Sequence, residues 1–311
     1  MKIIANNIQL EVVDSASDAP PSEPPNAPFS VPHLPVVLLI MGLGMQLIAW
    51  PPGLVRSLID AGYRVVRFDN RDAGLSDICD ALGTPNLLWH GLKYKLGLPI
   101  KPLYSLHDMA RDTLGVLDAL CIDKAHIVGI SMGGMVAQRL ALLAPQRVLS
   151  LASIMSSSGA RGLPAATPAI TRQLLSRPKG TGKQASIEHS VQLFQAIGSP
   201  GFPMDEAFLR SRVTAAYERG FNPPGIARQM LAIVADSARA AELANITAPT
   251  LVLHGKDDPL VPFACGLDTA RRIPGARLVG IDGMGHDLPP GVVEHMVAHL
   301  VPHFDAITPP Q

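Results

Sequence analysis

From Val36 onward, the chain alternates between short apolar runs and segments with the apolar spacing of a helix. A continuous apolar run is typical of a strand covered on both faces, and strands alternating with helices indicate a mostly parallel sheet. With an N-terminal pair at Lys2–Ala5 and Ile8–Val13, the sequence predicts an α/β fold with an eight-stranded sheet flanked by helices. The other predicted strands are Val36–Met41, Tyr63–Asp69, His126–Ile130, Val148–Met155, Thr250–His254 and Arg277–Ile281. The predicted helices are Pro52–Ala61, Ser105–Leu120, Met132–Leu143, Phe263–Arg272 and Val292–Phe304.

Three stretches depart from this alternation. Residues 76–104 are predicted to form an irregular insert, and residues 156–241 contain helical pieces interrupted by prolines. We interpret the second stretch as a helical cap inserted between a first core segment, 1–155, and a second, 242–311. The segment from Ser15 to Pro35 is rich in proline, which lacks the backbone donor that helices and central strands need, so a surface loop is predicted there.

Composition narrows the possible partners. Charged residues are 17% of the 311 and the formal net charge is zero, whereas nucleic acid requires a basic surface, so no nucleic-acid partner is expected. The most apolar stretch, Val36 to Trp50, is shorter than the roughly 18 to 20 residues that a spanning helix needs. We therefore predict no membrane span and a cytoplasmic location. The cysteines are predicted to be free thiols that serve as packing residues: Cys79, Cys121 and Cys265.

The sharpest local signal is Gly129-Ile130-Ser131-Met132-Gly133-Gly134, which follows a predicted strand and opens a predicted helix. A serine on a sharp turn between strand and helix takes a strained backbone conformation, and small neighbours let the two elements approach. This turn lifts the hydroxyl clear of the sheet, at the positive end of the helix dipole. Ser131 is therefore the candidate nucleophile.

A serine hydroxyl needs a base, and two further motifs supply the partners. His286 follows Gly283-Met284-Gly285, directly after a predicted strand. A carboxylate follows another strand at Asp257-Asp258-Pro259, where it could orient the imidazole and stabilise its cation. All three motifs come directly after strands, which is where ligand sites in open α/β sheets lie.

On these residues the chain resembles the α/β-hydrolase superfamily over about 36–155 and 245–305, with the same chain order of Ser, Asp and His. Within it, the segments LLIMGLGMQLIAWP, RFDNRDAGLS and VGISMGGM resemble bacterial esterases of the aclacinomycin methylesterase-like type. The resemblance favours Asp258 over Asp257 as the acid, because the superfamily has three residues between a strand-end His and the acid.

The resemblance also implies an oxyanion hole made by backbone N–H groups. One donor is Met132, after the nucleophile, and the second lies in the loop after the first long strand. Many relatives carry His-Gly in that loop, whereas this chain has Met41-Gly42, so the implied donor is Leu43, with Gly44 as the alternative. The segment from Asp69 to Ser76 resembles a turn of the superfamily and is interpreted as scaffolding; the alternative has Arg71 or Asn70 contacting substrate.

The cap is expected to set specificity. The candidate pocket residues are Gly42, Trp89, Phe194 and Phe202. Further apolar cap residues could line an acyl or alcohol pocket, although most of them are expected to pack the cap's own core: Leu175, Leu193, Phe208, Tyr217, Phe221, Met230 and Ile233.

These features predict a serine carboxylic ester hydrolase that acts on small to medium, mostly apolar esters through an acyl-serine. A lactonase, a C–C hydrolase or a cofactor-free perhydrolase would use the same three residues, because fold does not fix reaction. A non-catalytic ligand-binding protein of this fold is the third hypothesis. No cofactor or metal is expected: no phosphate-binding loop is present, and the repeat of His295, His299 and His303 has no acidic companions.

Overall fold

The computed structural model describes residues 1–17 and 34–308. Eight strands form one sheet: β1 (Lys2–Ala5), β2 (Ile8–Asp14), β3 (Val36–Ile40), β4 (Arg64–Phe68), β5 (Ala125–Ile130), β6 (Val148–Ile154), β7 (Thr250–Gly255) and β8 (Arg277–Ile281). Their order is β1-β2-β4-β3-β5-β6-β7-β8. The β1–β2 and β2–β4 pairs are antiparallel and the other pairs are parallel, so the predicted fold class is confirmed.

Eleven helices accompany these strands in the part of the chain that the structure describes. They are α1 (Pro52–Asp60), α2 (Leu87–Lys95), α3 (Leu106–Ala119), α4 (Met132–Leu143), α5 (Pro168–Leu175), α6 (Gly182–Ile197), α7 (Glu206–Gly220), α8 (Pro223–Ala235), α9 (Arg239–Glu242), α10 (Phe263–Arg272) and α11 (Pro290–Asp305). Helices α3 and α4 pack on one face of the sheet, and α1 and α11 pack on the other. Each face buries its own apolar cluster, which explains why the central strands read as continuous apolar runs.

The strand order opens a crevice between β3 and β5. The chain moves from β3 outward to β4 and then returns to place β5 on the other side of β3. Ligand sites in open α/β sheets lie outside the carboxyl ends of the strands at such a switch. Ile40 lies beside Gly129 in the parallel register, so the loop after β3 and the turn after β5 begin next to each other.

Helices α5 to α8 lie between β6 and β7, within the stretch predicted as a cap. Helices α6 and α7 bury a small apolar cluster of their own, formed by Ile187, Val191 and Val213. The division into 1–155, 156–241 and 242–311 stays a prediction.

Two predictions from the sequence are wrong: the irregular character of residues 76–104 and the packing role of Cys121. The insert at 76–104 is not irregular throughout, because α2 forms within it and the side chain of Asn86 accepts a hydrogen bond from the Trp89 N–H at its start. The sequence did not predict this helix because its apolar residues lie on both faces, so no single apolar stripe appears. Cys121 is exposed and does not pack, although all three cysteines are free as predicted.

The predicted proline-rich loop is described by the structure only at its ends. Residues 18–33, which hold most of the predicted proline-rich loop, lie outside it, and Ser15–Ser17 form a single 3-10 turn. Within the described ranges, no helix has both the length and the apolar character required to cross a membrane.

Candidate active site

Ser131 lies at the turn between β5 and α4. Its backbone has φ 53° and ψ −121°, a left-handed conformation that costs a non-glycine residue about 1–3 kcal/mol. The strand β5 and the helix α4 approach so closely that a Cβ on Gly129 would lie 2.1 Å from the carbonyl oxygen of Gly133. The Ser131 N–H donates to the carbonyl of Ile154 on the neighbouring strand at 2.9 Å. The strained turn is thereby fixed, with the hydroxyl at the carboxyl end of the sheet.

The structure brings Ser131, His286 and Asp258 into one hydrogen-bonded chain. The hydroxyl oxygen of Ser131 lies 3.0 Å from Nε2 of His286, and Nδ1 of His286 lies 2.7 Å from Oδ2 of Asp258. Because an ionised carboxylate only accepts, Nδ1 carries the proton and Nε2 is free to accept from the serine. This is the arrangement in which the imidazole acts as base toward the hydroxyl.

Asp258 is held in place by its surroundings. Its Oδ1 accepts hydrogen bonds from the N–H groups of Leu260 at 2.9 Å and Val261 at 2.8 Å. The buried His254 donates from Nε2 to the Val261 carbonyl at 2.7 Å, and burial lowers the pKa of this histidine. His254 therefore braces the loop that carries the acid.

Asp257, the alternative acid, faces a different group. Its Oδ2 accepts a hydrogen bond from the Gly283 N–H at 2.8 Å, and its own N–H donates to the Met284 carbonyl. This side chain fastens the loop after β7 to the loop after β8. The two neighbouring aspartates thus have separate contacts, and only Asp258 bonds to His286.

The loop carrying His286 is hydrogen-bonded to the last residue of α6 and to the segment that follows it. The His286 N–H donates to the Ile197 carbonyl at 2.7 Å, and the Gly285 N–H donates to the Ser199 hydroxyl at 2.9 Å. Ser199 in turn donates to Asp287, whose pKa is raised by burial. Sequence reasoning missed Ser199 and Asp287; only the position of Asp287 beside His286 could have drawn attention to it.

The loop after β3 and the turn after β5 each contain a backbone N–H group that is not used in the fold of the described residues. Within residues 1–17 and 34–308, neither Leu43 nor Met132 has a hydrogen-bond partner for its N–H. The Gly44 N–H, by contrast, donates to Oε1 of Gln229 on α8 at 2.8 Å. Gly44 is therefore occupied, while Leu43 and Met132 are available as a pair of donors. Gln229 was not foreseen from the sequence.

The turn after β4 acts as scaffolding. Nδ2 of Asn70 donates to the Met41 carbonyl at 3.0 Å, and the Arg71 guanidinium is paired with the buried Asp112 by two contacts of 2.6 Å. Burial opposes the charged form of Arg71, but its hydrogen bonds with Asp112 raise its pKa above the usual value. Both side chains are committed to these contacts, so neither is placed to bind substrate.

A cavity of about 1480 Å³ opens above Ser131, between the sheet edge and α5 to α8. Gly42 lies against Ser131, since a Cβ at that position would sit 3.3 Å from the serine Cβ. The walls are mostly apolar and include Gly42, Leu43, Met135, Leu175, Leu193, Phe194, Phe208, Tyr217, Phe221, Met230 and Ile233. Gly42 and Phe194 thus lie where the pocket was predicted.

Trp89 and Phe202 were placed wrongly in the pocket, and neither lines the cavity. Helix α2 turns Leu87, His90 and Tyr94 toward the cavity, so Trp89 lies on the opposite face. The ring of Phe202 packs edge-on against His295 instead, with centroids 5.7 Å apart.

The histidine repeat on α11 does not form a metal site. His295 packs against Phe202, and no group of three or more His, Cys, Asp or Glu side chains in the described ranges is arranged to hold a metal ion.

Comparison with known proteins agrees with this arrangement. A family model described as alpha/beta hydrolase fold matches residues 35–289. This chain belongs to that family. Rhodomycin D methylesterase DnrP from Streptomyces peucetius is 32% identical over 292 residues, covering 88% of this chain and 91% of that protein. Rhodomycin D methylesterase DauP from Streptomyces sp. (strain C5) is 33% identical with the same coverage, which confirms the predicted resemblance to methylesterases.

Solved structures share the fold. A meta-cleavage product hydrolase from Pseudomonas fluorescens IP01 superposes with a TM-score of 0.71 at 21% identity, covering 98% of this chain and 97% of that one. The enol-lactonase from Burkholderia xenovorans LB400 has a TM-score of 0.68 at 21% identity, covering 97% and 99%. At this level of identity the likeness concerns the fold alone.

Proposed function

We propose that this carboxylic ester hydrolase cleaves small-alkyl esters, methyl esters above all, of bulky apolar acids through an acyl-Ser131 intermediate. The observation that carries the proposal is the chain of contacts of 3.0 Å and 2.7 Å from Ser131 through His286 to Asp258. The relation to two methylesterases supports the ester class and the small leaving alcohol. The helices between β6 and β7 act as the cap that covers the acid portion.

The residues take the following roles. Ser131 attacks the ester carbonyl while His286 takes its proton, and Asp258 stabilises the imidazolium that forms. The N–H groups of Leu43 and Met132 bind the oxyanion of the tetrahedral intermediate. His286 then returns the proton to the departing alcohol, and a water activated by the same imidazole releases the acid.

The cavity supports a bulky substrate. Its volume of about 1480 Å³ exceeds the roughly 300–1,000 Å³ of most small-molecule sites. Arg212, a cationic residue in its wall, donates from Nη2 to the carbonyls of Ile48 and Ala49. A large cavity with apolar walls suits an ester whose acid portion is bulky and apolar. This substrate is larger than the small to medium esters that the sequence predicted.

The location proposed is the cytoplasm. Cys79, Cys121 and Cys265 are all free, and free thiols persist in reducing compartments. The proposed partner is a small-molecule ester.

The experiment compares wild type with Ser131→Ala on p-nitrophenyl butyrate and on the methyl ester of a polycyclic aromatic acid. We expect kcat/KM to fall at least about 10³-fold on both, because the nucleophile is lost. Ser156→Ala is the matched control, since its hydroxyl donates to the Ser131 backbone carbonyl at 2.7 Å and not to the reacting groups, and its loss should cost less than about tenfold.

Two results would contradict the proposal. Ester turnover that survives Ser131→Ala would remove this serine as the nucleophile. Cleavage of a β-diketone without any ester hydrolysis would assign the same three residues to C–C bond hydrolysis. Labelling of Ser131 by a fluorophosphonate provides an independent reading of whether the serine is activated.

A further inference from the structure

One face of α2 exposes large apolar side chains to solvent. Leu88 is 82% exposed, Trp89 53% and Leu92 47%, and Leu96, directly after the helix, is 63% exposed. We call these four residues the outer face of α2, because Leu92 follows Leu88 and Trp89 by four and three positions and Leu96 follows Leu92 by four. Scattered exposed leucines are ordinary, but a contiguous apolar face with a tryptophan marks an interaction surface.

The opposite face of the same helix belongs to the cavity above Ser131. Leu87, His90, Gly91 and Tyr94 all line it. Helix α2 therefore separates the substrate cavity from solvent with a single layer of side chains. A partner that binds the outer face of α2 would therefore lie next to the substrate cavity.

The segment that carries this helix has charges of one sign. Residues 81–107 contain three lysines, Lys93, Lys95 and Lys101, and no aspartate or glutamate. The Lys93 ammonium lies 5.5 Å from the centre of the Trp89 ring, so a positive charge sits beside the exposed aromatic. The rest of the chain has a formal net charge of −3, since the whole chain has a formal net charge of zero.

We propose that the outer face of α2 docks on an anionic lipid surface. Tryptophan and leucine on one face of a helix, with lysines beside them, are the features of helices that lie in the plane of a membrane interface. The lysines would meet lipid phosphates while Leu88, Trp89 and Leu92 enter the boundary between headgroups and acyl chains. A second copy of this chain fits less well, because a two-fold contact would bring the basic segment against itself.

The docking is measured with vesicles, independently of the proposed ester chemistry. Phosphatidylcholine vesicles with and without phosphatidylglycerol are added to the full chain, and tryptophan emission and co-sedimentation are recorded. Trp50, the other tryptophan, is fully buried in the core, so a spectral change reports on Trp89. We expect a blue shift and co-sedimentation with the phosphatidylglycerol vesicles, both weakened by salt. Ser131→Ala protein should bind as wild type does.

Two variants test the surface itself. Leu88→Glu/Leu92→Glu should lower vesicle partitioning at least about tenfold, since it replaces apolar contacts with repelled charges. Ile4→Glu is the matched control, because Ile4 is 75% exposed on β1 and should leave partitioning unchanged. Lys93→Gln/Lys95→Gln keeps the apolar face and should remove the preference for phosphatidylglycerol. Thermal melting confirms that each variant is folded.

Three outcomes would overturn the proposal. The first is a wild type that binds neither kind of vesicle. The second is a folded Leu88→Glu/Leu92→Glu variant that partitions as wild type does. The third is a dimer in sedimentation velocity that this double variant abolishes, which would assign the outer face of α2 to contact between two copies.

Discussion

The two sides of the substrate cavity are built on different principles. On the sheet side, each group comes from a loop directly after a strand, and local backbone geometry fixes its position: Ser131 through a strained turn, Leu43 through the register of β3 with β5. On the helical side, apolar residues from α5 to α8 form the wall, and contacts between distant parts of the chain fix them. We propose that the sheet side carries the chemistry and that the helical side selects the substrate.

The two sides meet in a polar seam along the turn after β4. Arg219 on α7 pairs with Asp69 at 2.6 Å, and Arg228 on α8 pairs with Asp72 at 2.7 Å. Gln229 accepts from the Gly44 N–H and donates from Nε2 to the Arg71 carbonyl, both at 2.8 Å. The helical side therefore also supports the loop that carries Leu43. Residues that select the substrate and residues that support the reaction are thus not fully separated between the two sides.

The largest expected effect tests the sheet side. Asp258→Asn should lower kcat about 10⁴-fold, because an amide would favour the wrong tautomer of His286 and would not stabilise its cation. Asp257→Asn is the matched control, since the adjacent carboxylate bonds to the Gly283 N–H and not to the imidazole. Steady-state kinetics on one p-nitrophenyl ester gives both values. Equal losses in the two variants would mean that the loops, and not the acid, determine the rate.

The second prediction concerns the ion pairs between the helical side and the turn after β4. Arg228→Met should reduce the free energy of unfolding by about 3–5 kcal/mol, because it leaves the buried carboxylate of Asp72 without its charged partner. Urea unfolding of wild type and variant at neutral pH measures this difference in the free energy of unfolding. Arg210→Met, which removes an exposed arginine from pairs with Glu188 and Glu206 on the cap, should have a far smaller effect.

The same variant has a predicted pH dependence. Burial disfavours ionised Asp72, but the hydrogen bonds from Arg228, the Cys79 N–H and Tyr104, together with the charge of Arg228, outweigh it and lower the pKa of Asp72 below its usual value. Wild type keeps this contribution above the pKa of an unfolded aspartate and loses it as pH falls through the folded pKa. Without the arginine, Asp72 takes up a proton more readily in the folded state. The stability difference between wild type and Arg228→Met should therefore shrink toward acid pH; a constant difference would place its cause in packing.

The same contrast explains how far the sequence could be interpreted. Ser131, His286 and Asp258 were predictable because each follows a strand, and the carboxyl ends of parallel strands meet at one edge. Phe202 and Trp89 were misplaced because the wall of the cavity depends on which way each helix face turns after packing. Gln229 and Ser199 carry no local signal at all, since their partners lie far away in the chain.

A residue of the helical side, Gln229 on α8, is also expected to influence the reaction rate, although only modestly. Gln229→Leu keeps the side-chain volume of α8 but frees the Gly44 N–H, so the loop no longer holds the Leu43 N–H in one position. Losing an oxyanion donor costs about 10²–10³-fold in rate, and a loosened donor should cost about tenfold in kcat with KM little changed. Gln229→Glu retains an acceptor for Gly44 while losing the donor to the Arg71 carbonyl, so it should recover part of kcat. A purely structural Gln229 would instead give matched losses of stability in both variants and an unaltered kcat.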